Sequence, residues 1–98
     1  MSAYFIVNYR ITDADGYQKY RELAGDTLAV HGGEVVVADW GSEPVEGEPA
    51  PVTIVIRFDS KEAFRGWYEC PEYQAALPHR LDNTEGHSVL CDGIARPA

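Results

Sequence analysis

Basic residues are scarce in this chain of 98 residues: eight Lys and Arg stand against sixteen Asp and Glu, for a net charge of −8. The few cations are scattered. Phosphate binding needs them clustered, so nucleic acid is not an expected partner. Long apolar runs are missing too. No stretch approaches the roughly 20 apolar residues of a membrane span. Met1-Ser2-Ala3-Tyr4-Phe5 shows no basic region ahead of an apolar run, so no secretory leader is read and the expected location is the cytoplasm. The two cysteines, Cys70 and Cys91, lack close metal or redox spacing and are expected as free thiols. His31, His79 and His87 add ligand types, but no His-x-x-x-His or Cys-x-x-Cys occurs, so no metal site is assigned. A glycine-rich phosphate loop and a nucleophile elbow are also missing, and no cofactor is expected.

What is present fits one globular domain over residues 1–98: 45% hydrophobic content is ordinary for a packed core, and six Tyr, two Trp and three Phe supply large side chains for it. Residues 3–11 alternate as a strand, with Phe5, Val7, Tyr9 and Ile11 on one face and Tyr4, Ile6, Asn8 and Arg10 on the other. A helix is predicted over 13–31. Asp13 is its N-cap, Tyr17, Tyr20, Ala24, Thr27, Leu28 and His31 form its stripe, and Gly32-Gly33 is its stop. Strands follow at 34–39 and 52–59. The segment between them, rich in Gly, Pro and Glu, reads as a mobile loop over 40–51. Ser60 caps a helix over 61–69, and Pro71 opens a short helix over 71–80 that Pro78 should bend or shorten. Residues 82–86 read as loop, 87–94 as the last strand, and Arg96-Pro97-Ala98 as a frayed tail.

The order is βαββαβ, two strand–helix–strand halves. Such halves pack as a four-stranded antiparallel sheet with both helices on one face. The other face is then uncovered, with Tyr4, Ile6, Val36 and Val55 on or near it, and a second copy of the chain is the simplest cover: a homodimer through the open sheet face is expected.

Several phrases carry a resemblance to a known family. They are Ala3-Tyr4-Phe5-Ile6-Val7 with Thr12-Asp13 and Tyr17-x-x-Tyr20, then His31-Gly32-Gly33 and Phe58-Asp59-Ser60. Above all there is Trp67-Tyr68-x-x-Pro71-Glu72-Tyr73-Gln74, and the closing Glu85-Gly86 and Asp92-Gly93 fit as well. Over residues 3–94 the chain resembles the "domain of unknown function 1330" family. The resemblance implies a ferredoxin-like fold of the dimeric α+β barrel group, in which the open sheet faces of two subunits meet. It implies no reaction, because proteins of that fold group include cofactor-free monooxygenases, lactone isomerases, haem-handling enzymes and plain ligand-binding modules. At one place the chain departs from the family pattern: Cys70 stands where a small cap such as serine is usual. A helix N-terminus favours a thiolate, which would make this thiol more reactive than a buried one.

The chemistry-bearing residues each have two readings. His31 ends the first helix. It is either an acid, base or anion contact at the mouth of a helix–sheet pocket, or a residue that merely meets the last carbonyls. Tyr20, Trp67, Tyr68 and Tyr73 either line an aromatic pocket or fill the core. Arg80, with His79, either binds a carboxylate or forms a surface pair at the helix end. Asn8, Arg10, Arg57 and Asp59 sit either inside the dimer barrel or in an interface network. His31 and Tyr20 are the candidates for proton transfer, and Trp67, Tyr68, Tyr73 and Arg80 for substrate contact. Two functions stay open: a cofactor-independent small-molecule enzyme of monooxygenase or isomerase type, and a non-catalytic dimeric ligand-binding or stress-associated module. A third, blander option is that the cavity is packed shut.

Overall fold

The computed structural model describes residues 1–94. β1 (Ala3–Ile11) runs through the middle of a four-stranded sheet, paired antiparallel with β3 (Val52–Phe58) on one side and β4 (Thr84–Asp92) on the other. β2 (Glu34–Asp39) pairs with β3 at the outer edge, so the order is β2-β3-β1-β4. The alternation read from the sequence is the one observed. Ala3, Phe5, Val7 and Tyr9 of β1 are buried, as are Val52, Ile56 and Phe58 of β3, and the helices cover that face. This is the four-stranded antiparallel sheet with helices on one face expected from the βαββαβ order, and the ferredoxin-like fold that the resemblance implies.

Two boundaries differ from expectation. The first helix is two: α1 (Ala14–Ala24) and α2 (Thr27–Val30), broken at Gly25-Asp26. Asp13 caps α1 as expected, its carboxylate accepting from the backbone N–H groups of Asp15 (3.0 Å) and Gly16 (3.2 Å). Glycine is a poor helix former, and the hydroxyl of Thr27 donates to the Ala24 carbonyl at 2.8 Å, satisfying a group that the break leaves open. The buried stripe survives because Thr27 still turns inward. Gly32, with φ of +73°, then ends the segment in the left-handed conformation that favours glycine.

α3 (Lys61–Tyr68) and α4 (Pro71–Leu81) fall within a residue of the helices expected over 61–69 and 71–80, and Pro78 does not shorten α4. Pro78 is exposed while its neighbours Ala76 and Leu77 are buried against α1 and the sheet, so packing outweighs the lost backbone bond. The second difference is β4, which begins at Thr84 rather than after residue 86, so most of the expected 82–86 loop is strand; it also ends at Asp92. The tail over 96–98 lies outside the described residues.

The 40–51 loop is tied at its base. Asn8 donates to the carbonyls of Ala50 (2.9 Å) and Val52 (3.1 Å) and accepts from the Ala50 N–H (2.9 Å), while Ser42 and Thr53 share a hydroxyl bond of 2.6 Å. Arg57, another strand residue with two readings, bonds Ser2 (2.9 Å) and meets Asp59 at 3.5 Å.

The core centres on Trp67, which is 1% exposed. Its ring lies 4.0 Å from that of Tyr73 and 5.5 Å from that of Phe58, centroid to centroid. Its indole N–H donates to the Thr27 hydroxyl at 2.8 Å, which ties α3 to the α1–α2 break. Thr27→Val keeps the shape and strands this buried donor. The expected cost is about 1–3 kcal/mol in urea unfolding at unchanged slope. A change within about 0.5 kcal/mol would show that the indole has another partner.

Candidate functional site

Between α1 and the sheet lies a cleft of about 360 Å³, within the usual range for small-molecule sites. The option of a cavity packed shut is therefore overturned. The floor is aliphatic, from Val7, Ile54 and Ile56, because these residues alternate onto the covered face of β1 and β3. Tyr17 and Tyr20 come down from α1, Tyr9 rises from β1, and Trp67 and Arg80 line the cleft from α3 and α4. At the rim, Trp40 is half exposed under the Arg21 guanidinium, which sits 5.2 Å from its ring centroid.

Arg80 is the chemical centre of this space. It is 6% exposed, and no carboxylate of the described residues pairs with it, although acids outnumber cations two to one in the chain. Its guanidinium lies 5.8 Å from the ring of Tyr20 and 6.0 Å from that of Tyr9, so aromatic faces take the place of a counter-ion. It sits in the last turn of α4, where the helix dipole favours a cation. The reading of Arg80 as a surface pair is thereby excluded. Burial draws its pKa down, but the Tyr73 and Tyr20 oxygens beside it outweigh that and leave it above the ordinary arginine value.

The tyrosine hydroxyls form two hydrogen-bonded pairs around this cation: Tyr9 with Tyr17, and Tyr20 with Tyr73 at 2.9 Å. All four phenols are held above their usual pKa, first by burial. For Tyr9 and Tyr73 the hydrogen-bonded partner raises it further, whereas Arg80 pulls down on each of the four. Near neutral pH they are therefore neutral phenols, able to donate a hydrogen bond or a proton but not to act as ready-made bases.

The sequence-predicted residues divide in space. Tyr20, Trp67 and Arg80 come together on the cleft. Tyr73 is fully buried behind Tyr20, joined to it through their hydroxyls. Tyr68 stacks on Phe64 with centroids 5.2 Å apart and does not line the cleft. His31 opens instead onto a separate hollow with Asp26, Cys70 and Glu72. His79 is half-buried and its carbonyl accepts from the Asn83 side chain at 2.7 Å. Cys70 is buried and accepts from the Tyr73 N–H at 3.4 Å, serving as the cap of α4. No group of three or more His, Cys, Asp or Glu among the described residues is arranged to hold a metal ion, and no helix of the described residues is long and apolar enough to cross a membrane.

Sequence reading missed Tyr9, Tyr17, Trp40 and Arg21 as cleft residues. Trp40 carried a signal: a tryptophan at the start of a wet Gly/Pro/Glu segment has no local reason to be there.

Comparison with known proteins places this geometry in a family. The family model described as "Domain of unknown function (DUF1330)" matches residues 2–94, and the chain belongs to that family. No curated protein matches it. Among solved structures, the RPA0582 protein of unknown function from Rhodopseudomonas palustris superposes with a TM-score of 0.82 at 17% identity, over 97% of this chain and 84% of that one. A dimeric ferredoxin-like protein of unknown function from Thermobifida fusca gives 0.64 at 18% identity, over 92% and 89%. SnoaB, a cofactor-independent oxygenase from Streptomyces nogalater, gives 0.63 at 14% identity, over 99% and 95%. Identities this low carry the fold alone.

The raised phenol pKa values set an alkaline limit. Tyrosines of the unfolded chain release their protons near pH 10.0, and the folded chain holds them to higher pH. The stability they contribute is complete below pH 10 and is lost as pH rises above it, at up to about 1.4 kcal/mol per pH unit for each such group. Urea midpoints across this range should fall, and Tyr9→Phe should flatten the fall. A pH-independent midpoint would contradict the assignment.

Proposed function

We propose that this member of the family is a cofactor-independent enzyme of monooxygenase or isomerase type, acting on a small acidic molecule held in the cleft between helices and sheet. The observation that carries the reading is the buried Arg80, which has no carboxylate partner among the described residues and faces an apolar cleft. Burying an uncompensated cation costs several kcal/mol, and an anionic ligand relieves that cost. In this reading Arg80 holds the anion and favours the deprotonated form of a weak carbon or oxygen acid, which is the step that cofactor-free isomerisation and oxygenation have in common. Trp67 offers an apolar surface. Tyr20, its hydroxyl bonded to Tyr73, donates a proton or hydrogen bond. Tyr68 packs from behind. His31 would act in its own hollow rather than on a molecule in this cleft. The fold shared with a cofactor-independent oxygenase agrees with this reading.

One observation favours the second reading, a non-catalytic binding module. No His, Asp, Glu, Lys or Cys is among the residues lining the cleft, so no ready base stands beside a bound molecule.

The same proposal includes a homodimer and a cytoplasmic location. On the open sheet face Val89, Ile6, Val55 and Val37 form one row across all four strands. Val89 is 53% exposed and Val37 41%, an apolar band that a second copy would cover. Two solved neighbours are described as dimeric.

Quenching of tryptophan fluorescence by 2-naphthoate and by uncharged naphthalene-2-carboxamide tests the arginine. Arg80→Gln should weaken the acid about 10- to 100-fold and the amide less than about 3-fold. Equal losses, or no binding of 2-naphthoate to the native protein, would rule the site out. Deuterium exchange into 2-tetralone separates the readings: exchange above the buffer rate that Arg80→Gln removes favours an enzyme, and the buffer rate favours a binding module. Light scattering should give twice the 10.9 kDa chain mass, falling to one chain in Ile6→Asp. A native monomer at micromolar concentration would overturn the dimer.

A further inference from the structure

Arg80 does not face the apolar cleft alone. A second hollow of about 310 Å³ opens between α4 and β4, and Val7, Tyr9 and Arg80 line both spaces. The reason lies in the size of the β4 residues on the covered face. The register sets Leu90 opposite Phe5, Ser88 opposite Val7, Gly86 opposite Tyr9 and Thr84 opposite Ile11. Leu90 packs on the core, but at Ser88 and Gly86 there is too little side chain to close the gap to α4. Gly86 cannot carry more, because a Cβ there would lie 2.5 Å from the Cα of Tyr9. The hydroxyl of Thr84 donates to the Arg80 carbonyl at 2.7 Å, which ties the end of α4 beside the opening. The walls therefore differ in kind: aromatic and aliphatic on the α1 side, and on the β4 side Thr84, Gly86 and Ser88, with Leu81 from α4. Glu85 and His87 also line this hollow, but they pair with Arg10 and Asn8 and so alternate toward the open face of the sheet, which leaves the buried Arg80 guanidinium as the charge on the boundary.

We propose that the two hollows form one bipartite site for a flat amphipathic acid, whose apolar body lies in the cleft beside Trp67 and whose anionic end passes Arg80 into the window at Gly86 and Ser88. The inference rests on the arginine-centred reading above and adds the ligand's class and direction. An anion on the cleft side alone would leave the hydroxylic window empty of function, whereas one on the boundary meets the guanidinium and Ser88 together. The acid's apolar part is flat because the walls that receive it are ring faces from Tyr9, Tyr17, Tyr20 and Trp67.

The test follows backbone amide resonances of the native protein during titration with 2-naphthoate and naphthalene-2-carboxamide. The acid should shift Gly86 and Ser88 together with cleft residues such as Ala24, and the amide should shift the cleft residues alone. Ser88→Val, a change that suits a strand and narrows the window, should weaken the acid at least about fivefold and leave the amide within about twofold. Arginine-dependent binding of the acid with Gly86 and Ser88 unmoved, and with affinity unchanged in Ser88→Val, would overturn the bipartite site while leaving the arginine reading intact. No binding of the acid to the native protein would overturn both.

Discussion

The indole N–H of Trp67 has the hydroxyl of Thr27 as its partner, and the helix layer is arranged around that pairing. Trp67 belongs to α3 and Thr27 to the start of α2, so one hydrogen bond joins the two halves of the chain across the covered face of the sheet. Thr27 opens α2 just past the break at Gly25-Asp26, where it still turns inward, and its own proton goes to the Ala24 carbonyl opened by that break. The rings of Tyr73 and Phe58 then close on the indole from α4 and β3. The cleft lies beside this cluster and shares Trp67 as a wall, so the element that stabilises the core also shapes the site.

The cleft has a chemical polarity that composition hides. The chain is strongly acidic, yet the buried charge among the described residues is a cation. Arg80 is held there by α4 running intact past Pro78, by the helix end that favours positive charge, and by tyrosine faces in place of carboxylates. The phenols around it stay neutral because burial raises their pKa more than the guanidinium lowers it. The result is an apolar room with one buried positive charge, a second cation, Arg21, at its rim, and several hydroxyl donors, an environment preorganised for an anion.

Legibility in the sequence followed the range of the interactions. The alternation in residues 3–11 and 52–58, the caps at Asp13 and Ser60, and the stop at Gly32 are local, and each appeared where local chemistry put it. The helix over 71–80 was legible to one residue, but Pro78 did not shorten it, because the cost of a proline is local while its compensation, the packing of Ala76 and Leu77, is not. The single helix over 13–31 was misread for the converse reason: its stripe continues across a break that one glycine and one aspartate permit. Among the site residues, Tyr20, Trp67 and Arg80 were picked out by type, but type alone could not separate them from His31, which shares the α1–α2 stripe and opens onto another hollow.

The sequence by itself determined the order of elements, the faces of the strands, the family and the inventory of aromatic and charged groups, because each of these depends on periodicity or on short phrases. Tertiary structure decided which of those groups meet. Arg80 became a buried charge only when α4 packed against α1 and the sheet. Gly86 and Ser88 became an opening only when the β4 register set them opposite Tyr9 and Val7. The physical reason is that desolvation, cavity shape and the pairing of charges are properties of surfaces brought together from distant parts of the chain, and no local pattern carries them.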